Sequence, residues 1–360
     1  MSLVKKKLAS IFTVTLSCLI GFIFFELGLR AANSYNPWNI TKEANILRNI
    51  QFTYDISELY PSDLSNVDYI RNEYGLRDNC ISPDQVEILT VGGSTTDQRY
   101  VSFESTYQTR IQQRLKDVDN KFGCVSNAGV DGHSSWGHLF AFEHWFPLVP
   151  ELKPKFTIMY IGINDADFRR AKMPNPNFDQ QNRIGIKNFL KSLDVVRAFL
   201  PIYHLIKQSF NNSSAAYAGH APRLYEKLDF KIKEMNEETI GLVKINTEAF
   251  KSRMIKLIDE IRELNSTPIC VTQPHRYVME LNGQLYGIPN IMGEGFSGID
   301  YDFSINKLNA VMLELCGKNT LDLYNYSFLA SHFYDGVHTT ASGSQVIGDR
   351  MADFIIENFY

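Results

Sequence analysis

The sequence lacks an excess of basic charge. Its 36 lysines and arginines are outnumbered by 40 aspartates and glutamates, so the formal net charge at pH 7 is −4. Proteins that bind nucleic acid by neutralising phosphates normally carry a basic surplus or stripe. Nucleic acid is therefore not an expected partner.

Cysteine is also scarce. Five cysteines in 360 residues, none in a Cys-x-x-Cys pair, are too few for a small disulfide-built scaffold and argue against a structural zinc site. The phosphate-loop pattern that ends in Gly-Lys-Ser/Thr is absent as well. With 44% hydrophobic and 21% charged residues, the chain can bury a full core. Its length predicts about two domains, or one large α/β domain with insertions.

The first thirty residues differ from the rest. Lys5–Lys7 precede an apolar, uncharged run from Leu8 to Phe25, whose helical length of about 27 Å is close to a bilayer core of about 30 Å. We predict that residues 1–30 are a transmembrane signal-anchor with the lysines in the cytoplasm. The remainder would then lie outside the cytoplasm, in the periplasm of a Gram-negative cell. A cleaved signal peptide fits less well because its candidate site, Ala31-Ala32, follows Arg30; a buried soluble helix is the third alternative.

That location permits disulfides among the cysteines outside the anchor, Cys80, Cys124, Cys270 and Cys316. Three pairings are open. We favour Cys80 with Cys124, because each directly precedes a predicted strand and the two strands should be neighbours. Cys270 lies in an apolar strand, which favours a free buried thiol.

Residues 31–80 are polar and irregular and predict a stalk, whereas strand and helix patterns alternate through residues 81–360. The predicted strands are Val86–Val91, Cys124–Ala128, Phe156–Ile161, Ile269–Thr272 and Thr320–Tyr324. The predicted helices are Thr106–Val118, Trp136–Leu148, Glu248–Leu264 and Ala341–Phe359. Strands separated by helices indicate βαβ units, and therefore an α/β domain with a parallel sheet.

The alternation is interrupted over about residues 168–247. This interval contains two prolines, a polar Asn/Gln run and an apolar segment, and it is too long for an ordinary crossover. We interpret it as a lid-like insert. Its segment Ile186–Phe210 mixes basic and apolar residues, which fits a helical cap packed on the core or a helix on a membrane surface.

Polar residues follow the predicted strands where α/β proteins bind ligands, beyond the carboxyl edge of the sheet. The first such segment, Val91–Thr96, runs from a strand into two glycines and Ser94. The glycines permit a tight turn, and the serine can present its hydroxyl to the crevice. An ordinary turn or an anion-binding loop would fit the same residues.

Two further segments follow the next strands. Asn127–Ser134 contains Gly129 and Gly132, whose backbone could supply exposed N–H donors, although a simple turn is the alternative. Gly162–Asp165 contains Asn164, which could supply a side-chain N–H or form an Asx turn or helix cap.

The fourth segment, Asp335–Thr340, precedes the last predicted helix. Asp335 stands three residues before His338, so its carboxylate can fix the imidazole tautomer and leave the other nitrogen to take a proton from Ser94. A structural Asp–His pair is the usual explanation of so short a motif. A metal site would need further ligands, such as the histidines at 133, 138 and 144, and we do not predict one.

The order Ser, Gly, Asn, Asp-x-x-His resembles the SGNH (GDSL-type) hydrolase family over roughly residues 85–355 without the insert. The resemblance implies that Ser94 is the nucleophile, that Asp335 is the orienting acid and that His338 is the general base. It also implies an oxyanion hole made of Gly132, Asn164 and the Ser94 N–H.

The resemblance further implies a flavodoxin-like three-layer αβα sandwich, with five parallel strands in the order 2-1-3-4-5. Gly92-Gly93-Ser94 departs from the usual Gly-Asp-Ser of the family. This departure bears on which subfamily the chain resembles more than on whether the site is catalytic. The stretch Asn72–Arg77 is more weakly similar to membrane-anchored bacterial relatives.

These features predict a serine-dependent ester hydrolase, an esterase or carbohydrate O-deacetylase, that acts outside the cytoplasm through an acyl-serine. The expected partners are an acyl-ester substrate, with carbohydrate among the candidates, and the membrane through the N-terminal helix. No cofactor is implied. The alternatives are an O-acyltransferase that modifies an exported polysaccharide and an inactive binding or scaffold protein on the same fold.

Overall fold

The N-terminal segment forms one long helix. The computed structural model describes residues 3–34, 36–168 and 229–360. Within them, Phe12–Ala31 has a mean hydropathy of 2.0 and lies in the one described helix that is long and apolar enough to cross a membrane. Residues up to 40 belong to one compact unit, and residues 41–168 and 229–360 belong to a second.

The described residues form helices and strands, which alternate along much of the second unit. In chain order they are α1 (Leu3–Ser34), β1 (Ile50–Asp55), β2 (Asn66–Arg71), β3 (Val86–Gly92), α2 (Ser94–Asp97), α3 (Tyr107–Val118), β4 (Cys124–Asn127), α4 (Ser135–Phe140), β5 (Phe156–Tyr160), α5 (Thr239–Glu263), β6 (Thr267–Val271), β7 (Val278–Leu281), β8 (Gln284–Gly287), α6 (Gly298–Cys316), β9 (Thr320–Leu321) and α7 (Ala341–Phe359).

Five of the strands form a parallel sheet in the order β4-β3-β5-β6-β9. Numbered within the sheet, this is the predicted order 2-1-3-4-5. Ile88, Ile158 and Ile269 pack in one cluster with apolar residues of α3 and α7. Their neighbours along each strand point to the opposite face, where α5 and α6 pack together and against β6. The predicted three-layer αβα class is confirmed.

Residues 41–80 are not the predicted stalk. β1 and β2 pair antiparallel, with Ile50 opposite Arg71, and residues from 41 onward belong to the second compact unit. Along β2, Val67, Tyr69 and Arg71 are buried while the residues between them are exposed. The many polar residues suggested irregular structure, but the period-two alternation within them is that of a half-buried hairpin.

The predicted insert of about residues 168–247 lies mostly outside the described residues. At its far end, α5 begins at Thr239 rather than Glu248. The first turns of that helix carry exposed apolar residues, Ile240 and Ile245, which weakens the amphipathic pattern there. The end of the insert was therefore placed too late in the chain.

Besides the β1–β2 hairpin, the β7–β8 hairpin and helix α6 also have no counterpart among the predicted elements. A capping box begins α6: Ser297 accepts from the N–H of Ile299, and Asp300 accepts from the N–H of Ser297 at 2.7 Å. This Ser-x-x-Asp pattern is a sequence signal for a helix start. The helix could therefore have been predicted.

Two disulfides lie in the second unit. Cys80 is bonded to Cys124, with Cα atoms 5.8 Å apart, which is the favoured pairing. Cys270 is not a free thiol but is bonded to Cys316, with Cα atoms 6.1 Å apart. Because Cys270 of β6 pairs with Thr320 of β9, the chain that returns from α6 into β9 brings Cys316 beside it.

Candidate active site

Ser94 lies on a tight turn at the carboxyl end of β3. It begins the one-turn helix α2, and two following backbone N–H groups donate to the carbonyl of Gly93 at 2.9 and 3.0 Å. Gly92 allows the turn to approach β5, since a β-carbon there would lie 2.5 Å from the carbonyl oxygen of Tyr160. The turn leaves Ser94 half-buried, whereas the next four residues are buried.

Asp335 and His338 occupy a short loop that precedes α7. Phe333 and Thr339 form an antiparallel bridge, and the N–H of Tyr334 donates to the carbonyl of His338 at 3.1 Å. Inside the loop, Oδ1 of Asp335 accepts the backbone N–H of His338 at 2.7 Å. The loop is therefore closed around the aspartate.

The loop and the turn meet at the imidazole of His338. Its Nε2 lies 2.7 Å from Oγ of Ser94, and its Nδ1 lies 2.7 Å from Oδ2 of Asp335. Burial alone would raise the pKa of Asp335, but the charge of His338 and the hydrogen bonds within the loop hold that pKa below its usual value. The ionised carboxylate favours a proton on Nδ1, which leaves Nε2 to accept the Ser94 hydroxyl proton.

Asn164 and the loop that contains Gly132 converge on the same turn. Nδ2 of Asn164 donates to the carbonyl of His133 at 2.8 Å. A β-carbon on Gly93 would lie 2.5 Å from Nδ2 of Asn164 and 3.0 Å from the His133 carbonyl oxygen. The amide and the loop therefore lie directly beside the residue that precedes Ser94.

Gly132 itself is exposed, with a positive φ of 78° and open space where a side chain would extend. Gly129, the other glycine of this segment, is buried against the backbone of Asp97, and its N–H donates to the side chain of Asn127. Of the two glycines, Gly132 is the one whose surroundings suit a donor to a bound molecule.

Behind Ser94, a buried charged network fixes the turn that carries this serine to the β1–β2 hairpin. Arg71 and the hydroxyl of Tyr69 both donate to Oδ1 of Asp97 at 2.6 Å. Arg77 donates to the backbone carbonyls of Asp97, at 3.0 Å, and of Gln98, at 2.8 Å. All of these side chains are buried. The segment around Asn72–Arg77 therefore contacts the turn that carries Ser94.

Arg99 connects the turn that carries Ser94 to the loop that contains Gly132. One guanidinium nitrogen lies 3.2 Å from Oδ2 of Asp97, and another lies 3.3 Å from Oδ2 of Asp131. Because Asp131 directly precedes Gly132, this bridge sets the distance between the two chain segments.

Asp165 connects the Asn164 loop to α4. Its carboxylate accepts the backbone N–H of Ser135 at 2.9 Å and the Ser135 hydroxyl, and Arg253 of α5 lies 3.3 Å away. Burial raises the pKa of Asp165, against the opposing charge of Arg253. The residue after Asn164 thus holds the first turn of α4, which follows the Gly132 loop.

The histidines considered as metal ligands are separate. His133 and His138 are both buried, with ring centroids 5.9 Å apart, and Nε2 of His133 lies 2.7 Å from the carbonyl oxygen of Ala44. Burial lowers the pKa of His133 to about 4 and that of His138 well below its usual value. His144, by contrast, is exposed. Nowhere in residues 3–34, 36–168 and 229–360 do three His, Cys, Asp or Glu side chains come together as metal ligands.

The structure brings together Ser94, Asp335, His338 and Asn164, with Gly132 on the adjoining loop. Sequence reasoning missed the residues that hold them, Tyr69, Arg71, Asp97, Arg99, Asp165 and Gln273. Gln273 follows β6 and donates to Thr95 at 3.0 Å and to the Tyr160 carbonyl at 2.7 Å. The signal available for part of this set was Arg71, a charged residue on the side of β2 that otherwise carries the apolar Val67 and Tyr69.

The sequence matches no protein-family model, and it matches no curated protein. Solved structures are similar to it at low identity. An α/β hydrolase from the metagenome of Lake Arreo, Spain, is 16% identical, with a TM-score of 0.39, over 74% of this chain and 93% of that one. A variant of an acetyl xylan esterase from Geobacillus stearothermophilus is 15% identical, with a TM-score of 0.39, over 75% and 96%.

A GDSL-like lipase from Bacteroides thetaiotaomicron is 13% identical, with a TM-score of 0.37, over 76% of this chain and 87% of that one. Because these sequence identities and TM-scores are low, the chemistry of the site must be argued from its own geometry.

Proposed function

We propose that the protein is a serine-dependent ester hydrolase that works through an acyl-serine intermediate. One observation carries the proposal: Nε2 of His338 lies 2.7 Å from Oγ of Ser94, while Nδ1 lies 2.7 Å from Asp335. A nucleophile, a base and an acid that orients the base, all within hydrogen-bond reach, form the arrangement that activates a serine. The resemblance of the four motif segments to SGNH hydrolases supports the same conclusion.

In the first half of the reaction, Oγ of Ser94 attacks the ester carbonyl carbon while His338 takes the hydroxyl proton on Nε2. The carbonyl oxygen becomes an oxyanion, which the N–H groups of Ser94 and Gly132 and the amide of Asn164 stabilise. When the tetrahedral intermediate collapses, the bond to the alcohol oxygen breaks and His338 donates its proton to that oxygen. The alcohol leaves, and the acyl group remains on Ser94.

In the second half, water approaches the acyl-serine from the side of His338. Nε2 removes a proton from the water, whose oxygen bonds to the acyl carbon. The second intermediate collapses as the bond to Oγ of Ser94 breaks and the proton returns to Oγ. The products are a carboxylic acid and the free enzyme, and Asp335 stays ionised throughout.

The substrate class that we favour is an acyl ester, with an O-acetylated carbohydrate among the candidates. We place the catalytic unit outside the cytoplasm, on a protein anchored by a single pass with its N-terminus in the cytoplasm. The apolar stretch Phe12–Ala31, preceded by three lysines, supports the anchor. The two disulfides support an oxidising compartment.

The test is covalent labelling of the full-length protein in detergent with a fluorophosphonate. Wild-type protein should be labelled, and so should Ser252→Ala, which removes an exposed hydroxyl on α5. Ser94→Ala should not be labelled. Asp335→Asn should slow labelling by about 10³–10⁴-fold, because an amide favours the wrong imidazole tautomer. Labelling that persists in Ser94→Ala would contradict the assignment of the nucleophile.

A folded wild-type protein that is never labelled would instead favour the inactive scaffold. If labelling succeeds, acetylated oligosaccharides are then supplied with and without an unacetylated acceptor sugar. Release of acetate at the same rate in both cases supports hydrolysis. Appearance of acetylated acceptor supports the O-acyltransferase alternative, in which a sugar hydroxyl replaces water in the second half-reaction.

A further inference from the structure

A stack of aromatic rings ends on the imidazole of His338. The ring of Tyr334 is nearly parallel to that imidazole, at an angle of 11° and a centroid distance of 5.6 Å. The ring of Tyr60 is in turn nearly parallel to Tyr334, at 14° and 5.6 Å. These distances fall in the range of offset stacking. The stack therefore joins the segment that follows β1 to the loop of the general base.

The two tyrosines are held from several sides. Both are buried, and they belong to an apolar cluster that includes Ile56, Leu59 and Val67. The hydroxyl of Tyr60 donates to the carbonyl of Tyr100 at 2.7 Å. Burial also raises the pKa of Tyr334 well above its usual value, so the phenol stays neutral. A neutral ring in a packed cluster gives His338 a fixed apolar surface.

His338 needs such a surface because the hydrogen bond at Nε2 of its imidazole changes partner during the proposed reaction. Nε2 exchanges its partner between Ser94, the leaving alcohol and water, whereas Nδ1 keeps Asp335. Between partners, a single bond at Nδ1 would let the ring turn about its Cβ–Cγ bond. A parallel ring packed against the imidazole opposes that rotation.

We propose that Tyr334, backed by Tyr60, is a positioning residue that holds the plane of the His338 imidazole during catalysis. This inference rests on the proposed function. Replacing Tyr334 leaves both imidazole partners in place, Asp335 at Nδ1 and Ser94 at Nε2, so a loss of kcat that follows the ring reports on the stack.

The experiment compares Tyr334→Phe, which keeps the ring, with Tyr334→Leu, which removes it, in full-length protein in detergent. The readouts are kcat and KM for a chromogenic acetyl ester. For Tyr334→Leu we expect kcat to fall on the order of tenfold with KM within about twofold, since geometry and not binding is lost. Tyr334→Phe should match the wild type in both respects.

Phe250→Leu is the matched control, because it removes a fully buried aromatic ring from α5. It should lower stability and leave kcat unchanged. An unchanged kcat in folded Tyr334→Leu, or equal losses in the Leu and Phe variants, would overturn the inference. If Tyr334→Leu does not fold, Tyr60→Leu is compared with Tyr60→Phe: a smaller loss of kcat, confined to the Leu variant, supports the stack, and no loss overturns it. Inactive wild-type protein would instead reject the proposed function itself.

Discussion

The side-chain amide of Asn164 lies directly against the backbone of Gly93. A β-carbon at residue 93 would come within 2.5 Å of Nδ2, and the carbonyl of His133 holds that nitrogen in place at 2.8 Å. Gly93 thus sets the position of the Asn164 amide, the proposed oxyanion donor. The aspartate that the family resemblance leads one to expect at this position would not fit this arrangement.

Gly93→Ala should therefore lower kcat/KM by roughly 10²-fold, because the displaced amide no longer reaches the oxyanion. Gly241→Ala is the control, since a β-carbon there meets no atom within 4 Å on an exposed face of α5. That substitution should leave activity unchanged and stabilise the helix slightly. Ester hydrolysis by the two purified variants measures the difference, and equal activity would contradict the proposed role of Asn164.

Removing the charge of Asp97 should strongly destabilise the catalytic unit. Asp97→Asn leaves the buried guanidinium of Arg71 without its counter-charge, which typically costs about 3–5 kcal/mol. Asp349→Asn breaks ion pairs with Arg110 and Arg114 that are about one-third exposed, and it should cost at most about 1 kcal/mol. Urea unfolding of both variants in detergent tests the contrast. Similar losses of unfolding free energy would show that the buried network is not specifically required.

Stability should decrease as the pH falls from about 6.5 towards 4. Burial lowers the pKa of His133 to about 4, and that of His138 also lies well below 6.5. In this interval the unfolded chain binds protons that the folded protein does not, so acid favours unfolding. His138→Leu should make the decrease less steep, whereas the same change at the exposed His144 should not. Urea midpoints measured at several pH values give the slope, and parallel slopes in all three proteins would reject this explanation.

Cys270 and Cys316 should be recovered as one linked peptide when the protein is digested without reductant. The bond closes a loop of 46 residues, for which chain entropy predicts a stabilisation of about 4 kcal/mol. The double variant Cys270→Ala/Cys316→Ala should lose stability on that order, while Cys18→Ala, in the helix α1, should not. Detection of free thiols at 270 and 316 by mass spectrometry would refute the pairing.

Much of the sheet could be predicted because buried parallel strands consist of short apolar runs, such as those at 86–92 and 156–160. The turn that carries Ser94 and the Asp335–His338 loop could be located, because their residue types are distinctive and lie at strand or helix boundaries. The predicted last strand, Thr320–Tyr324, was too long: it ends at Leu321, because Asp322 turns to accept a hydrogen bond from Thr272 at 2.7 Å.

What could not be predicted depends on contacts between distant parts of the chain. Nothing local to Arg71 or Tyr60 reveals that one binds Asp97 and the other stacks on Tyr334. The hairpin that carries them had a period-two pattern, but its polar composition concealed that one face is buried. The bond of Cys270 was also not predicted, because its partner, Cys316, lies at the end of α6, a helix that was itself not predicted.

The two disulfides lie towards opposite ends of the sheet. Cys80–Cys124 ties the chain before β3 to the edge strand β4, and Cys270–Cys316 ties β6 to the segment that enters the other edge strand, β9. Edge strands are ordinarily where a sheet frays first. With both borders cross-linked, we expect transient opening to be concentrated in the loops at the carboxyl ends of the strands. Those loops carry Ser94, Gly132 and Asn164. We therefore expect the sheet to stay rigid while the loops around the candidate site open to admit an ester.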